Sequence, residues 1–320
     1  MPTTPALEGW MLDTIVAHDV YHPGFAGHYM RASDERRQIM AAFFAVASHN
    51  NAASNNSASF LTHASHQNIL RCAFECVPPG LRGALGKSGS QPHEPAYYHD
   101  LCEALAFGFR HVVTTIMHVT ILNPERLAII KALPLDLCDS RIVERIDSIK
   151  QARDLIAVVD FFEARAGNRA RLITALLESR APLETIIRRW SRQIEYVDHP
   201  IHECVGYRPI RTGLDLHEAA RRYQNCGRNY SVASLVGENA FGEFVALDGR
   251  RVLLCFDRSE GEWALEGVYG RRNRPVADDL EAQARGFVRL QGIRDRWQSD
   301  RSEDDISRAL RRMIQPYSQW

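Results

Sequence analysis

The stretch ARRYQNCGRNYSVASLVGENAFGEFVALDGRRVLLCFDRSEGEWALEGVYGRRNRPV, residues 220–276, decides how the fold is read. A helix runs into it, from Asp215 to about Ser234. Leu216, Ala219, Tyr223, Cys226 and Tyr230 are three or four residues apart and share one helical face. Three alternating or apolar runs follow, Phe241–Leu247, Arg251–Asp257 and Glu262–Tyr269. Asp248-Gly249 divides the first two and signals a tight hairpin, since both residue types accept the positive φ such turns need. Ser259-Glu260-Gly261 divides the second from the third. The loop GRRNRPV then leads to a closing helix, Asp278–Leu290. Residues 213–293 therefore read as α-β-β-β-α, a small antiparallel three-stranded meander flanked by helices. On the third strand the period of two places Glu262, Ala264, Glu266 and Val268 on one face. Glu266 then stands between small and apolar neighbours.

Upstream, VDHPIHECVGYRPIRTG over 197–213 carries prolines and glycines. It reads as a linker, 198–212, or as a first irregular strand. Residues 1–197 read as a helical domain. Ser33-Asp34-Glu35 starts a helix over Arg36–Ser48 in which Ile39, Met40, Phe43, Phe44 and Ala47 have helical spacing. The Asn/Ser-rich 49–59 segment reads as an exposed loop, and Ser65–Cys76 as a short helix. Residues 77–96 read as a further loop. Its GKSGS resembles a phosphate-binding loop, but the glycines stand too close together and no strand precedes them. From 97 to 195 the pattern is helical throughout. Asn123-Pro124-Glu125 is a helix start, and Asp139–Ile149 carries an Ile142, Val143, Ile146, Ile149 stripe. Residues 294–320 hold one more helix, Ser302–Ile314, with Arg308, Arg311 and Arg312 where they suit its dipole. The fold class expected is α+β.

The chain has 320 residues, with 39 basic and 39 acidic side chains, so a globally basic nucleic-acid binder is not indicated and any such surface must be local. The cations are almost all arginine, lysine standing only at Lys87, Lys131 and Lys150. Seven cysteines at irregular spacing, an odd number, fit reduced thiols better than a disulfide framework. The first residues lack the basic and apolar segments of a signal peptide, and no run reaches a membrane span. A cytoplasmic protein is expected, with no membrane association. Cys72, Cys76, Cys102 and His99 do not form a recognised zinc spacing, so neither a metal nor a cofactor is expected.

Cys226 followed by Tyr230 on a helix, then a hairpin, then Glu266, then Gly270 and Asn273 three residues apart, form an ordered set. In these features residues 213–293, about a quarter of the chain, resemble the PcfJ-like family, named for a component of conjugative-plasmid transfer systems. The family often has a histidine just before the cysteine, and Asn225 stands there instead. The resemblance implies an accessory protein of a mobile element or of plasmid transfer, associated with DNA-handling machinery. It supplies no reaction.

Each singled-out residue has a chemical and a structural reading. Cys226 is a nucleophile, with Arg222 and Arg228 to hold a thiolate, or a small cysteine buried against the sheet. His217 would lie on the opposite side of the same helix and is a poor partner for it. Glu266 is a general base, or an ion-pair partner of Arg258 or Arg271. Asn273 orients a substrate, or completes a turn. Arg222, Arg228, Arg271 and Arg272 offer phosphate contacts, while Tyr223, Tyr230, Tyr269 and Trp263 offer stacking surfaces. Three functions follow. The first is nucleic-acid binding, to DNA or RNA, through Arg222, Tyr223, Arg228, Tyr230, Arg271 and Arg272. The second is catalysis by Cys226, Glu266 and Asn273 in one pocket. The third is a protein–protein adaptor within a transfer or mobile-element system.

Overall fold

Gly249 takes φ +83, and around it the chain reverses, with Ala246 N donating to Arg250 O at 2.9 Å. The hairpin signalled by Asp248-Gly249 therefore forms, with Leu247 to Gly249 as its loop. It joins strand β2, Asn239–Val245, to β3, Arg251–Ser259, and β4, Glu262–Tyr269, follows antiparallel. The sheet has five strands rather than three. β1, Tyr207–Ile210, pairs antiparallel with β2, and β5, Arg294–Asp295, pairs parallel with β4. The order is β1-β2-β3-β4-β5. Residues 198–212, expected as a linker, thus contain an edge strand. The structure is a computed structural model that describes residues 7–47, 57–259, 261–295 and 305–314.

By its internal contacts the chain groups into residues 1–153 and 154–320, the division falling inside the helix Ile149–Ala166. In the second unit one face of the sheet packs on the helix Asp278–Leu290. Ala240, Phe244, Val252, Leu254, Phe256 and Leu265 meet Leu280, Ala284 and Val288 in a single buried cluster. The opposite face receives the segment 213–235, through Arg222 on Glu243 and Tyr230 on Phe241. That segment is not one helix. Thr212 caps a helix Gly213–Tyr223 by accepting from Asp215 N, and Gln224 closes it in left-handed backbone at φ 50. Asn225 N bonds back to Ala220 O at 3.1 Å. A short turn, Gly227–Tyr230, and a helix, Ser231–Leu235, follow. The break is what frees Cys226 from the face that buries Leu216, Ala219 and Tyr223. The C-terminal helix Asp305–Ile314 is held by Ser307 and Arg311 on Glu238, and by Arg312 on both oxygens of Asp154.

In the first unit the helix Asp34–Ala47 is the hub. Ile39 to Ala45 are all 2% exposed or less, so its second half is apolar on every side. Gln38, fully buried, donates to Gly89 O and Gln91 O and accepts from Tyr98 Oη at 2.8 Å. Lys87 bonds Met117 O, and Ser88 Oγ lies 2.7 Å from Tyr97 Oη. The lysine and serine of GKSGS are therefore structural anchors. The 77–96 stretch also contains a short helix, Leu81–Leu85. Of the 49–59 loop, residues 49–56 lie outside the described residues, and Ser57 begins the helix Ser57–His63. The Asn123 cap and Pro124 start a helix as expected. Ile142, Val143 and Ile146 of the 139–149 stripe are buried, but the stretch is helical only over Ser140–Val143, because Ser148 and Gln151 cap a new helix from Ile149.

Partly buried histidines couple this packing to pH. His199 has Nδ1 2.8 Å from Ile201 O and Nε2 2.8 Å from Phe241 O, and burial lowers its pKa. Burial is also the leading cause that lowers His18, His28, His66, His93 and His217. For each, the unfolded chain takes the proton first, at about pH 6.5. Stability is therefore complete above that pH and lost as pH falls through it toward the lower folded values. Urea midpoints are expected to fall on going from about pH 7.5 to about pH 5.5, and to fall less in His199→Gln. A midpoint that rises on acidification would contradict this.

Candidate functional site

β4 departs from simple alternation at one residue. Cys255 pairs with Gly267 and Phe256 with Leu265, so Glu266 is the extra residue of a β-bulge. The bulge turns Glu266 to the face that carries Cys255, while Val268 packs into the cluster on the other face. Glu266 and Val268 therefore do not share a face. Cys255, 2% exposed, donates its thiol to Glu266 Oε2 at 2.9 Å. Glu266 is thus not Arg258's partner. Arg258 bonds Asp198 at 3.3 Å and lies over the Trp263 ring at 5.4 Å.

Tyr269 joins this group. Its ring lies over Gly267, where a Cβ would meet ring atoms at 2.7 Å. Its phenol is pushed up to about 12, first by burial and then by Cys255, Glu266, Tyr230 and Cys226. Cys226, Tyr230 and Glu266 therefore all lie within electrostatic reach of the Tyr269 phenol. Cys226 is exposed, so the reading of it as a buried packing cysteine is overturned, and the buried thiol of the module is Cys255. Asn225, where the resemblance places histidine, accepts from Gly227 N at 3.0 Å and shapes the turn.

One step along β2, Glu243 is 5% exposed and receives both bonds of Arg222 Nη1, at 2.5 and 2.6 Å. The buried Tyr223 phenol is raised by burial and then by the Glu243 charge. Arg222 is committed to this pair and Tyr223 is 5% exposed, so neither is presented to a ligand as expected. Asn239 Nδ2 donates to the buried Asp257 at 3.2 Å on the same face.

The remaining arginines stand outward. Arg221, Arg228, Arg271, Arg272 and Arg274 are exposed, and none has an ion pair among the described residues. His217 is lowered by burial and then by Arg192, Arg228 and Arg221, so those cations gather beside the helix Gly213–Tyr223. Arg272 Nε donates to Gln224 Oε1 at 2.8 Å, which ties the 271–274 loop to the end of that helix. Both residues of this bond are left-handed, Gln224 at φ 50 and Arg272 at φ 59, as is exposed Asn273 at φ 53. Asn273 adopts the turn-closing backbone anticipated for it.

Of the residues singled out beforehand, Cys226, Tyr230 and Glu266 lie within electrostatic reach of Tyr269, while Asn273 stands exposed on the 271–274 loop with Arg271 and Arg272, and Arg228 is exposed in the turn after Cys226. Cys255, Glu243 and the bulge were missed. Register held the signal for Cys255, because a hairpin pairing Ser259 with Glu262 brings Cys255 opposite Glu266 when counted inward. No helix among the described residues is long and apolar enough to cross a membrane. Among the same residues, no group of three His, Cys, Asp or Glu is arranged to hold a metal ion. Comparison of the chain with protein-family models, curated proteins and solved structures found no match.

Proposed function

We propose that the second unit binds nucleic acid through the arginines around the end of the helix Gly213–Tyr223 and the 271–274 loop. The observation that carries this reading is the Arg272–Gln224 bond, which unites two arginine-bearing segments into one cationic border. In a chain of zero formal charge, exposed arginines without acidic partners are a local excess of the kind that phosphates neutralise. Left-handed Gln224 and Arg272 add to this, because strained backbone persists where a surface is held in a set shape. An accessory role in a mobile element or plasmid transfer rests on the resemblance of residues 213–293 alone. The alternative, catalysis by Cys226, Glu266 and Asn273, has weaker support. Glu266 already accepts a thiol hydrogen bond from Cys255, and a Cys226 that reacts selectively with alkylating probes near neutral pH would be needed to revive it.

The test is binding of purified protein to labelled single-stranded DNA, duplex DNA and RNA across a salt series. The logarithm of affinity is expected to fall steeply with the logarithm of salt. Arg271→Ala/Arg272→Ala is expected to flatten that slope by about 2, roughly one for each lost phosphate contact. No binding to any of the three at low salt would sink the reading.

A further inference from the structure

We propose that this arginine border takes a single strand in preference to a duplex, with Tyr230 and Tyr269 as the surfaces on which unpaired bases stack. The inference deepens the nucleic-acid reading and rests on it. Arginines that grip phosphate do not by themselves tell a strand from a duplex, since both present the same backbone charge. A ring beside those arginines does, because only an unpaired base can turn its face to it.

Two rings stand in that place. Tyr269 and Tyr230 are both half-buried and lie within electrostatic reach of each other and of Cys226. Arg228 lies in the turn between Cys226 and Tyr230, and Arg271 follows Tyr269 by two residues. Tyr269 is backed by the sheet, because Gly267 has no side chain to lift the ring from the backbone. Tyr230 is backed by Phe241, edge to face at 5.5 Å. Rings held in this way lose little conformational freedom when a base stacks on them. Tyr223 and Trp263 do not serve, the first being buried and the second covered by Arg258.

The experiment uses the full chain with fluorescein-labelled oligo-dT, oligo-U and a mixed-sequence duplex, each of about 16 nucleotides or base pairs. Single strands are expected to bind about ten-fold tighter than the duplex. Tyr230→Leu and Tyr269→Leu are each expected to weaken single-strand binding about ten-fold and to leave duplex binding unchanged, while Tyr230→Phe and Tyr269→Phe retain it. Comparing oligo-dT with oligo-U then identifies DNA or RNA as the preferred strand. If a leucine variant loses its circular-dichroism signal, the phenylalanine variants and the wild-type preference decide. Equal affinity for strand and duplex, or phenylalanine variants as weak as leucine ones, would overturn stacking and leave the phosphate reading standing. No binding to any probe would overturn both.

Discussion

Gly242→Ala is expected to destabilise the second unit by about 3 kcal/mol, at the upper end of what overpacking costs. A Cβ at Gly242 would lie 1.9 Å from Tyr207 Oη and 2.3 Å from its Cζ. The ring has no ready escape. Tyr207 is 2% exposed, stacks on Phe287 at 5.4 Å and has its hydroxyl 3.4 Å from His199 Nε2. β1 is an edge strand held by β2 alone, so relief of the clash requires that strand to lift away. The melting temperature is expected to drop by roughly 6–12 °C, taking about 2–4 °C per kcal/mol for a unit of this size. Tyr207→Leu added to Gly242→Ala should recover part of that loss. If Gly242→Ala melts with the wild type, the close approach described here is not rigid.

The second large effect is expected for Arg222→Ala. The substitution leaves the Glu243 carboxylate on the sheet without its guanidinium. Breaking a buried pair from one side costs about 3–5 kcal/mol when both partners are buried. The Arg222 side chain is 44% exposed and that of Glu243 only 6%, so water screens part of the loss and about 2–3 kcal/mol is expected. Arg222→Met/Glu243→Leu, which removes both charges, should be more stable than Arg222→Ala alone. Urea unfolding of Arg222→Met, Glu243→Leu and the double measures the coupling directly. A coupling near zero would mean that the pair orders the surface without contributing to stability. The same variants separate fold from function: Arg222→Ala should lower stability more than nucleic-acid affinity, and Arg271→Ala/Arg272→Ala the reverse.

Local chemistry was legible wherever a residue acts on its sequence neighbours. Asn123-Pro124 marks a helix start, because capping involves backbone groups within three residues. Asp248-Gly249 marks the hairpin for the same reason. The helix end at Tyr223 was not legible, since glutamine is an uncommon left-handed cap and the apolar spacing ran on through Cys226 and Tyr230. A continuous helix was the natural reading, and it put Cys226 against the sheet, where the structure instead buries Cys255.

What the sequence by itself determined is the α+β class and the hairpin at Asp248-Gly249 that joins β2 to β3. Those follow from periodicity and turn chemistry, which act over a few residues. Only the tertiary structure decided the two outer strands, the bulge and the pairing of Arg222 with Glu243. β1 has four residues and β5 two, too few for a period, and each becomes a strand because an open sheet edge offers it hydrogen bonds. The bulge exists only in the pairing of β4 with β3, and the ion pair depends on a helix docking across the sheet. These are contacts between elements, whose energies arise only once the elements meet.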